Sequence, residues 1–503
     1  MKYIVSGEEM AQIDSYATKV IGLSQMALME RAALKTYEFI REKFPDKIKV
    51  LVAVCGGNNG GDGIALARML GQAGDDVEVY YVDVNGRTSE GFKRQYEIAK
   101  KLQVRFIDEL VDAGYDLIVD AIFGVGLDRA VSGKQETTIR LLNDFKGYKL
   151  AIDIPSGVDA YTGFVRGVAF RADATITFGL MKLGLMRGVG PEYCGEVRVV
   201  GIGFPKQAVE HIAPSLFTYE LKDLDHLLPT RRADTHKGSY GRVGVIGGSK
   251  NMAGAVLFSA EAAYRMGCGL VKVCTDEVNR EIVQTRLPEA LLETYDSEDR
   301  LSVEKSMWSM MKWADVLVVG PGLGKSEAAV LAVSHLLRYC EKTIILDADG
   351  LNILAEHKEL LKEKKAEIII TPHLLEMSRV SELSTAEIKE HMKEIAQSFA
   401  SMHKVIVVLK DARTIVSDGS PQSYLNYTGN NGMATGGTGD VLTGMIAGLI
   451  AQGVDGYDAA KLGVFLHGLA GERAAKEVGC YSMTAGNIVK CITKVLEGDD
   501  NDQ

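Results

Sequence analysis

A glycine-rich segment that runs into an apolar helix pattern, NGMATGGTGDVLTGMIAGLIAQG at residues 431–453, holds the residues best suited to phosphate chemistry. The small residues from Gly436 to Gly439 allow several backbone N–H groups to converge on one anion, and the following helix adds the positive end of its dipole. Asp440 comes in the first helical turn. A carboxylate there either caps the helix or takes a proton from a hydroxyl that attacks a bound phosphate. We interpret the segment as a phosphate cradle with Asp440 as candidate general base, and helix capping as the alternative.

Three loops in the first half of the chain carry polar residues directly after apolar strand patterns. GGNNGGDG (56–63) follows KVLVAVC, GVGLDRA (124–130) follows DLIVDAIF, and IPSGVDA (154–160) follows YKLAID. Ligands of open parallel sheets bind beyond the carboxyl ends of the strands, so we expect the three loops to form one pocket. Glycines let a pyrophosphate approach the backbone, while Asn58, Asn59 and Asp62 offer groups for ribose hydroxyls or a cation.

Side chains near these loops have two interpretations each. Asp153, at the end of its strand, is a candidate general acid or base, and bracing of the loop is the alternative. Oxygen atoms of Asn59, Asp120 and Ser156 could bind a monovalent cation, although the residue types alone favour ordinary turn hydrogen bonds. Lys182 in TFGLMKLG could face a phosphate, but a solvated lysine is the commoner case.

The second half repeats this placement of polar residues after strand patterns. GPGLGKS (320–326) is similar to a P-loop, but Val319 stands where the Walker pattern requires glycine, so we interpret GPGLG as a tight exit from a strand. Lys410 and Arg413 could face a nucleotide, although surface cations are the commoner case, and a single histidine after a strand is more often structural than a ligand. The further strand-end candidates are the GGS loop at 247–249, Asp347, Asp349, His373 and the KDART segment at 410–414.

The elements that must position these residues alternate along the chain. Short β-branched runs that are apolar on both faces, separated by helix-length segments, predict parallel sheets covered by helices on both sides. We expect an α/β fold with a Rossmann-like doubly wound sheet in residues 1–210 and a second α/β domain in residues 211–503, divided where Pro- and charge-bearing sequence interrupts the pattern. The first 48 residues predict two amphipathic helices outside the sheet, and the tail GDDNDQ is expected to fray. The predicted strands are KVLVAVC, DVEVYYVDV, DLIVDAIF, YKLAIDI, ATITFGL and EVRVVGIG, then RVGVIGG, LVKVCT, DVLVVGPG, TIILDADG, EIIITPH and KVIVVLKD.

Composition limits the possible partners. The chain has 503 residues, 46% of them hydrophobic and 25% charged, which predicts two ordinary globular domains. A net charge of -10 argues against a nucleic-acid surface, which needs a basic footprint. The seven cysteines form no CxxC pair or zinc spacing, and we expect reduced core thiols. We find no signal peptide and no apolar run of membrane length, and therefore predict a cytoplasmic protein.

The order of these motifs resembles the bifunctional NAD(P)H-hydrate repair enzymes, in which a Rossmann-like epimerase domain is fused to a ribokinase-like dehydratase domain. The resemblance covers nearly the whole chain, through NNGGDG, DAIFGVGL and DIPSGVDA in the first half and HKGSYGRVGVIGGS, GPGLG, LDADGLNIL, TPH and GMATGGTGDVLTGMIAGL in the second. It implies that the first domain interconverts the R and S hydrates of NADH and NADPH (NADHX and NADPHX), with a potassium ion bound by Asn59, Asp120 and Ser156. The residues implied to hold this substrate are Asn58, Asn59, Gly60, Gly61, Asp62, Gly124, Val125, Gly126, Leu127, Asp128, Arg129, Ala130 and Asp153.

The same resemblance implies that the second domain removes water from the S hydrate at the expense of ADP or ATP, with magnesium on the nucleotide. Asp440 would deprotonate the hydroxyl of the ring, the cradle would stabilise the transferring phosphoryl group, and the phosphate ester would then leave. We also expect a homo-oligomer. The implied hydrate-binding residues are Ala253, Gly322, His373 and Asp440. The implied nucleotide-binding residues are Lys410, Asp411, Ala412, Arg413, Thr414, Asn430, Asn431, Gly432, Met433, Ala434, Thr435, Gly436, Gly437, Thr438 and Gly439.

Several positions depart from the family pattern. Leu374 and Leu375 stand where relatives often have Pro-Gly, Asp411 replaces a glycine, Asn431 stands where proline is frequent, and the NNGGDG run lacks one preceding residue. The dehydratase prediction therefore rests on Asp440 and the cradle. Two alternatives stay open. One is a ribokinase-like kinase for a vitamin or sugar, whose product would keep its phosphate. In the other, the first domain only binds a nucleotide.

Overall fold

The computed structural model describes residues 1–82 and 87–497, and the chain divides into two compact units. One unit comprises Tyr3–Leu216, and the other comprises Met1–Lys2 with the residues from Phe217 onward. The end of the predicted strand DVEVYYVDV at residues 83–84 and the predicted frayed tail GDDNDQ lie outside the described residues.

The first unit is built from short strands and helices that alternate for most of its length. Its strands are β1 (Lys2–Val5), β2 (Lys49–Val54), β3 (Asp76–Tyr81), β4 (Arg105–Ile107), β5 (Leu117–Ala121), β6 (Tyr148–Ile152), β7 (Ala174–Phe178), β8 (Met181–Lys182) and β9 (Glu196–Val200). Its helices are α1 (Gly7–Lys19), α2 (Gln25–Lys43), α3 (Asn58–Ala73), α4 (Glu90–Lys101), α5 (Gly133–Asp144), α6 (Gly190–Cys194) and α7 (Lys206–Ile212).

The main sheet of this unit is parallel, with the strand order β4-β3-β2-β5-β6-β7-β9. Alternate residues of β2 enter two different cores: Val50, Val52 and Val54 pack on one face, and Leu51 and Ala53 on the other. This burial on both faces explains why the strand reads as a continuous apolar run. All six predicted strands of this half are present, and the two predicted amphipathic helices are α1 and α2. The short strands β1, β4 and β8 were not predicted.

The second unit has the same alternation with a different ending. Its strands are β10 (Leu216–Thr218), β11 (Arg242–Ile246), β12 (Leu270–Asp276), β13 (Leu291–Tyr295), β14 (Val316–Val319), β15 (Thr343–Leu346), β16 (Ile368–Ile370), β17 (Ile406–Leu409), β18 (Ile415–Ser417) and β19 (Ser423–Leu425). Its helices are α8 (Leu224–Leu227), α9 (Ala253–Arg265), α10 (Arg280–Arg286), α11 (Arg300–Trp313), α12 (Glu327–Tyr339), α13 (Asp349–Glu356), α14 (Leu360–Glu363), α15 (Leu374–Ser381), α16 (Thr385–Glu390), α17 (Met392–His403), α18 (Thr438–Ala451), α19 (Gly456–Val478) and α20 (Ala485–Glu497).

Seven parallel strands of the second unit follow the order β13-β12-β11-β14-β15-β16-β17, and β18 and β19 continue this sheet with antiparallel pairing. The six predicted strands are β11, β12, β14, β15, β16 and β17. The strands β10, β13, β18 and β19 were not predicted from the sequence. In β13, LLETY is only partly buried and lacks a continuous apolar run. In β18 and β19 only three residues each are strand.

Helices α9 and α18 approach each other closely at glycine. A Cβ atom at Gly444 would lie 2.1 Å from the carbonyl oxygen of Ser259, so a side chain there would force the helices apart. The hydroxyl of Ser259 also donates a hydrogen bond to the carbonyl oxygen of Asp440 over 2.8 Å. The contact between the two helices therefore fixes the first turn of α18 and the candidate base within it.

All seven cysteines are free thiols, and all except Cys480 are buried. No helix within residues 1–82 and 87–497 is long and apolar enough to cross a membrane.

We expect Gly444→Ala to destabilise the second unit by about 1–3 kcal/mol, because the added methyl group overpacks the contact between α9 and α18. The matched control is Gly254→Ala in α9, where a Cβ meets no atom within 4 Å and the substitution should be neutral or slightly stabilising. Denaturant midpoints of the two variants test this expectation. Equal midpoints would contradict the proposed close packing.

Candidate functional sites

A cavity of about 990 Å³ lies at the carboxyl end of the first unit's sheet. Residues from the loops after β2 and β5 line it together with Asp153, which follows β6, whereas no residue of the third predicted loop (154–160) does. Asp14 and Arg87 also line the cavity, although the sequence analysis did not select them. The predicted residues that line it are Asn58, Asn59, Asp62, Gly124, Val125, Gly126, Leu127, Arg129, Asp153 and Lys182.

Four residues implied to hold substrate do not line this cavity: Gly60, Gly61, Asp128 and Ala130. A Cβ at Gly60 would lie 1.7 Å from the carbonyl oxygen of Cys55, and one at Gly61 would lie 2.6 Å from Met29 Cε. These two glycines therefore allow the first turn of α3 to pack closely. Asp128 and Ala130 are exposed.

Asp153 and Lys182 form a buried ion pair inside the cavity. Lys182 Nζ lies 2.6 Å from Asp153 Oδ1, and the Lys182 side chain is 1% exposed. The expectation of a solvated lysine was wrong, because β8 carries this residue into the cavity, where its charge needs a partner. The same Asp153 oxygen accepts hydrogen bonds from Thr177 Oγ1 and the Phe178 N–H, whereas Oδ2 has no hydrogen bond within the described part of the chain. Asp153 thus has one braced oxygen and one free oxygen.

The backbone of Asp153 has a φ of 66°, in the left-handed region that aspartate tolerates better than most residues. Such conformations cluster at functional sites.

Two further carboxyl groups line the same cavity. Burial, followed by the negative charges of Asp153 and Asp14, raises the pKa of Asp62 well above its usual value, and Lys182 opposes this shift. Burial also raises the pKa of Asp14 on α1. The cavity therefore holds Asp62, whose pKa is raised, beside Asp153, which is paired with an ammonium, and the two offer one potential acid and one potential base.

Asn59, Asp120 and Ser156 form one cluster around the backbone of Phe123. Ser156 donates to Asp120 through its N–H (2.7 Å) and its hydroxyl (2.6 Å), and its hydroxyl accepts from the Phe123 N–H over 2.8 Å. Asn59 Nδ2 donates to the Phe123 carbonyl over 2.9 Å. Asp120 is completely buried, and burial raises its pKa to about 6. Within the described ranges no cationic side chain bonds to this carboxylate, so the site combines a buried negative charge with neutral oxygen atoms.

In the second unit, the glycine segment forms the turn that begins α18. Gly437 is the N-cap residue with a φ of 90°, and a Cβ at Gly436 would meet no atom within 4 Å. The backbone at Gly436 is therefore open to a ligand. The side chain of Asp440 makes no hydrogen bond within the described residues and does not cap the helix. Burial and the charge of Asp347 raise the pKa of Asp440 to about 7, against the effect of Lys410.

Lys410 and Asp347 form a second buried ion pair, next to Asp440. Their Nζ and Oδ1 atoms are 2.8 Å apart, and Thr371 Oγ1 donates to the same Asp347 oxygen over 2.8 Å. Glu376 is close enough that Lys410 lowers its pKa, but burial raises it overall to about 7. Asp347 and Lys410 were selected from the sequence, but Glu376 and the pairing of Lys410 with Asp347 were not predicted.

His373 begins helix α15. Its Nδ1 accepts hydrogen bonds from the N–H groups of Leu375 and Glu376, and Glu376 accepts from the His373 N–H, which makes a capping box. Burial and the charge of Lys410 lower the pKa of His373. Leu374 and Leu375, which replace the usual Pro-Gly, form the first turn of this helix.

The GPGLG segment is a tight exit from β14, as predicted. Gly320 and Gly322 have φ values of 123° and 61°, and a Cβ at Gly322 would lie 2.6 Å from the carbonyl oxygen of Met252. This contact brings Gly322 close to the start of α9 at Ala253. Asp349 accepts a hydrogen bond from the Gly324 N–H over 2.8 Å.

The two implied nucleotide segments approach the same helix. Asn430 Nδ2 donates to the Gly471 carbonyl on α19 over 2.9 Å, and the charge of Glu472 on α19 acts on the half-buried Arg413. Lys410 differs from the rest of its segment, because its ammonium turns toward Asp347. The remaining residues of these segments range from buried Thr414 to exposed Ala412 and Asn431.

Family models of known proteins match the two units separately. A family model described as YjeF-related protein N-terminus matches residues 25–184, and one described as NAD(P)H-hydrate dehydratase matches residues 243–494. A bifunctional NAD(P)H-hydrate repair enzyme from Thermofilum pendens is 36% identical, over 97% of this chain and 95% of the relative.

Solved structures resemble the second unit. An ADP/ATP-dependent NAD(P)H-hydrate dehydratase from Bacillus subtilis, co-crystallised with ATP and Mg²⁺, has a TM-score of 0.50 and 29% identity, covering 56% of this chain and 97% of that chain. A ribokinase-like superfamily protein from Enterococcus faecalis has a TM-score of 0.50 and 28% identity, covering 56% of this chain and 96% of that chain. The fold is therefore α/β with a ribokinase-like second unit, and the chain belongs to the family of bifunctional NAD(P)H-hydrate repair enzymes.

Proposed function

We propose that the chain repairs hydrated NADH and NADPH in two steps, by epimerising the R and S hydrates and then dehydrating the S hydrate with ADP or ATP. The observation that carries the proposal is the free Asp440 carboxylate in the first turn after the glycine loop. Near full-length similarity to repair enzymes supports the pairing of this site with the cavity of the first unit. A homo-oligomeric state and a cytoplasmic location belong to the same proposal.

Epimerisation requires that the hydroxyl on the ring leaves and that water returns to the opposite face. In our proposal Asp62 donates a proton to the departing hydroxyl, which leaves as water while the ring nitrogen supplies electrons to the carbon. Asp153, paired with Lys182 through Oδ1, then takes a proton from the incoming water through Oδ2, which makes no hydrogen bond within the described residues. The remaining loop residues would hold the dinucleotide.

A potassium ion fits the cluster of Asn59, Asp120 and Ser156. Oxygen atoms are the ligands that hard cations prefer, and the buried Asp120 carboxylate has no cationic side chain bonded to it within the described ranges. The ion would supply positive charge beside the Gly124 loop, where phosphate groups of the dinucleotide are expected.

Dehydration turns a poor leaving group into a good one. Asp440 takes the hydroxyl proton as the hydroxyl oxygen attacks the terminal phosphoryl group of ADP or ATP, and the phosphoanhydride bond breaks to release AMP or ADP. The glycine turn from Gly436 to Gly439 donates N–H groups to the transferring phosphoryl. The carbon–oxygen bond then breaks with its electron pair on the departing phosphate, helped by the ring nitrogen. Loss of a proton from the neighbouring carbon restores the double bond of NADH or NADPH.

Magnesium is proposed to arrive on the nucleotide. Within residues 1–82 and 87–497 no group of three or more His, Cys, Asp or Glu side chains is placed to hold a metal ion. Magnesium commonly uses one or two carboxylates together with substrate phosphates and water. When bound, it would neutralise phosphate charge.

Asp153→Asn should abolish recovery of the R hydrate and leave recovery of the S hydrate. With mixed hydrates and excess nucleotide, the wild type should restore all reduced nicotinamide absorbance, whereas the variant should stop after the S fraction except for spontaneous epimerisation. The substitution leaves Lys182 buried without its counter-ion, which costs about 3–5 kcal/mol.

The double variant Asp153→Asn, Lys182→Met should regain stability but not epimerisation, which separates folding from chemistry. Asp76→Asn, an exposed carboxylate at the start of β3, is the control and should behave as the wild type. Full R recovery by the double variant would refute the role of Asp153.

Replacing potassium by tetramethylammonium should slow epimerisation but not dehydration, because the large organic cation cannot enter the Asp120 cluster. Asp120→Asn replaces the carboxylate by a neutral amide, so the dependence of the epimerisation rate on potassium should weaken. Measurement of R and S recovery rates across potassium concentrations tests both points. An epimerisation rate indifferent to potassium in the wild type would remove the ion from the proposal.

Asp440→Asn should lower the dehydration rate by about 10²–10⁴-fold while nucleotide binding persists. In the wild type the rate should fall as the pH drops through about 7, because the base must be ionised and burial raises its pKa to about 7. Glu327→Gln changes an exposed acid in the first turn of α12 and controls for loss of a helix-dipole interaction. Mass spectrometry of the product distinguishes repair from a kinase reaction, since a product that keeps the phosphate would favour the kinase.

A further inference from the structure

The ammonium of Lys410 is fixed beside the glycine turn. Its side chain is 19% exposed, and its Nζ is held 2.8 Å from Asp347 Oδ1. Thr371 donates to that same carboxylate oxygen, and the Lys410 N–H donates to the Pro372 carbonyl over 2.8 Å. Side chain and backbone are therefore both anchored, which sets Lys410 apart from a solvated lysine.

The position of the ion pair relative to α18 follows from Gly439. A Cβ there would lie 3.1 Å from Lys410 Nζ and 3.7 Å from Asp347 Oδ2. The pair thus lies against the backbone of the residue that precedes Asp440. Glycine leaves room for the ammonium at the first turn of the helix.

We propose that Lys410 is a positioning residue for the dehydration reaction: its ammonium, held by Asp347 beside the first turn of α18, offsets the negative charge around Asp440 so that this carboxyl group can lose its proton and act as the base. This inference rests on the proposed function of Asp440. The family resemblance implies that Lys410 binds the nucleotide, whereas this inference gives it a role beside the base.

The charges around Asp440 explain why such a residue is needed. Carboxylates face it from the end of β15 (Asp347), the start of α13 (Asp349) and helix α15 (Glu376), and Lys410 is the opposing cation that acts on it. Burial lowers the pKa of His467 on α19 to about 4, and His373 is likewise shifted toward its neutral form, so neither adds positive charge near pH 7. Without Lys410, the negative charges of Asp347, Asp349 and Glu376 would act unopposed against ionisation of Asp440.

Opposite substitutions should therefore move the acid limb of the pH–rate profile in opposite directions. In Lys410→Met the limb of kcat/KM for the hydrate should move up by about 1–3 pH units, because an opposing charge at short range is lost. In Asp347→Asn it should move down, because a like charge is lost. Lys410→Arg should keep the limb near the wild-type position. Lys358→Met removes a lysine from an exposed pair with Glu382 and should change nothing.

A direct titration separates this proposal from the proposed function. Carbon NMR of carboxyl-labelled aspartate, with Asp440→Asn to identify the resonance, measures the Asp440 titration without substrate. A higher midpoint in Lys410→Met than in the wild type supports the inference even if no repair activity is found, whereas inactive wild-type protein would refute only the proposed function.

Two outcomes would overturn the role of Lys410. If Lys410→Met leaves both the acid limb of the pH–rate profile and the titration midpoint of Asp440 unchanged, the ion pair has only a structural role. If the KM for the nucleotide rises in Lys410→Met and nothing else changes, Lys410 binds the nucleotide and does not act on Asp440. If Lys410→Met fails to fold, Lys410→Gln, which removes the charge but keeps a polar group beside Asp347, decides by the same readouts.

Discussion

Both candidate sites depend on a carboxylate and an ammonium that are buried together at the carboxyl end of a parallel sheet. Asp153 pairs with Lys182 in one unit, and Asp347 pairs with Lys410 in the other. A buried charge without a partner is costly, so each pair must be completed by the fold before any substrate arrives. Within residues 1–82 and 87–497 the adjacent carboxyl groups, Asp62 and Asp440, form no such ion pair, and burial raises the pKa of both. Each unit thus has one carboxylate paired with an ammonium beside another carboxyl group whose raised pKa suits proton exchange.

The sheets exist in this form because both of their faces are covered. Continuous apolar runs made twelve strands predictable, and the parallel direction followed from the helix-length segments between them. Parallel direction in turn gathers the strand ends, which is why loops distant in sequence meet at one cavity. Strands such as β13 and β19 escaped prediction because they are partly buried or only three residues long, and they carry little periodic signal.

Many candidate catalytic residues could be selected from the sequence because polar residue types follow predicted strands. The sequence did not show how deeply their side chains are buried. Asp153, Asp347 and Asp440 could be selected from their positions in the sequence, whereas the burial of Lys182 and the orientation of Lys410 depend on neighbouring strands. Asp14 lies on an amphipathic helix, where an acidic residue ordinarily faces solvent, and nothing in its neighbourhood of sequence indicates a cavity. Sequence patterns report which elements form. They do not report which side chains from different elements come within bonding distance.

The pairing of Asp153 with Lys182 has an evolutionary consequence. Loss of either partner alone leaves the other charge buried without a counter-ion and lowers the free energy of unfolding by about 3–5 kcal/mol. This is a large share of the roughly 5–15 kcal/mol by which a folded domain is stable. Genetic drift at one position is therefore opposed by selection for stability, even in a lineage that no longer needs the reaction. The two positions are expected to change together or not at all. Co-variation at these positions among related genomes would then record where the chemistry has been abandoned while the fold survives.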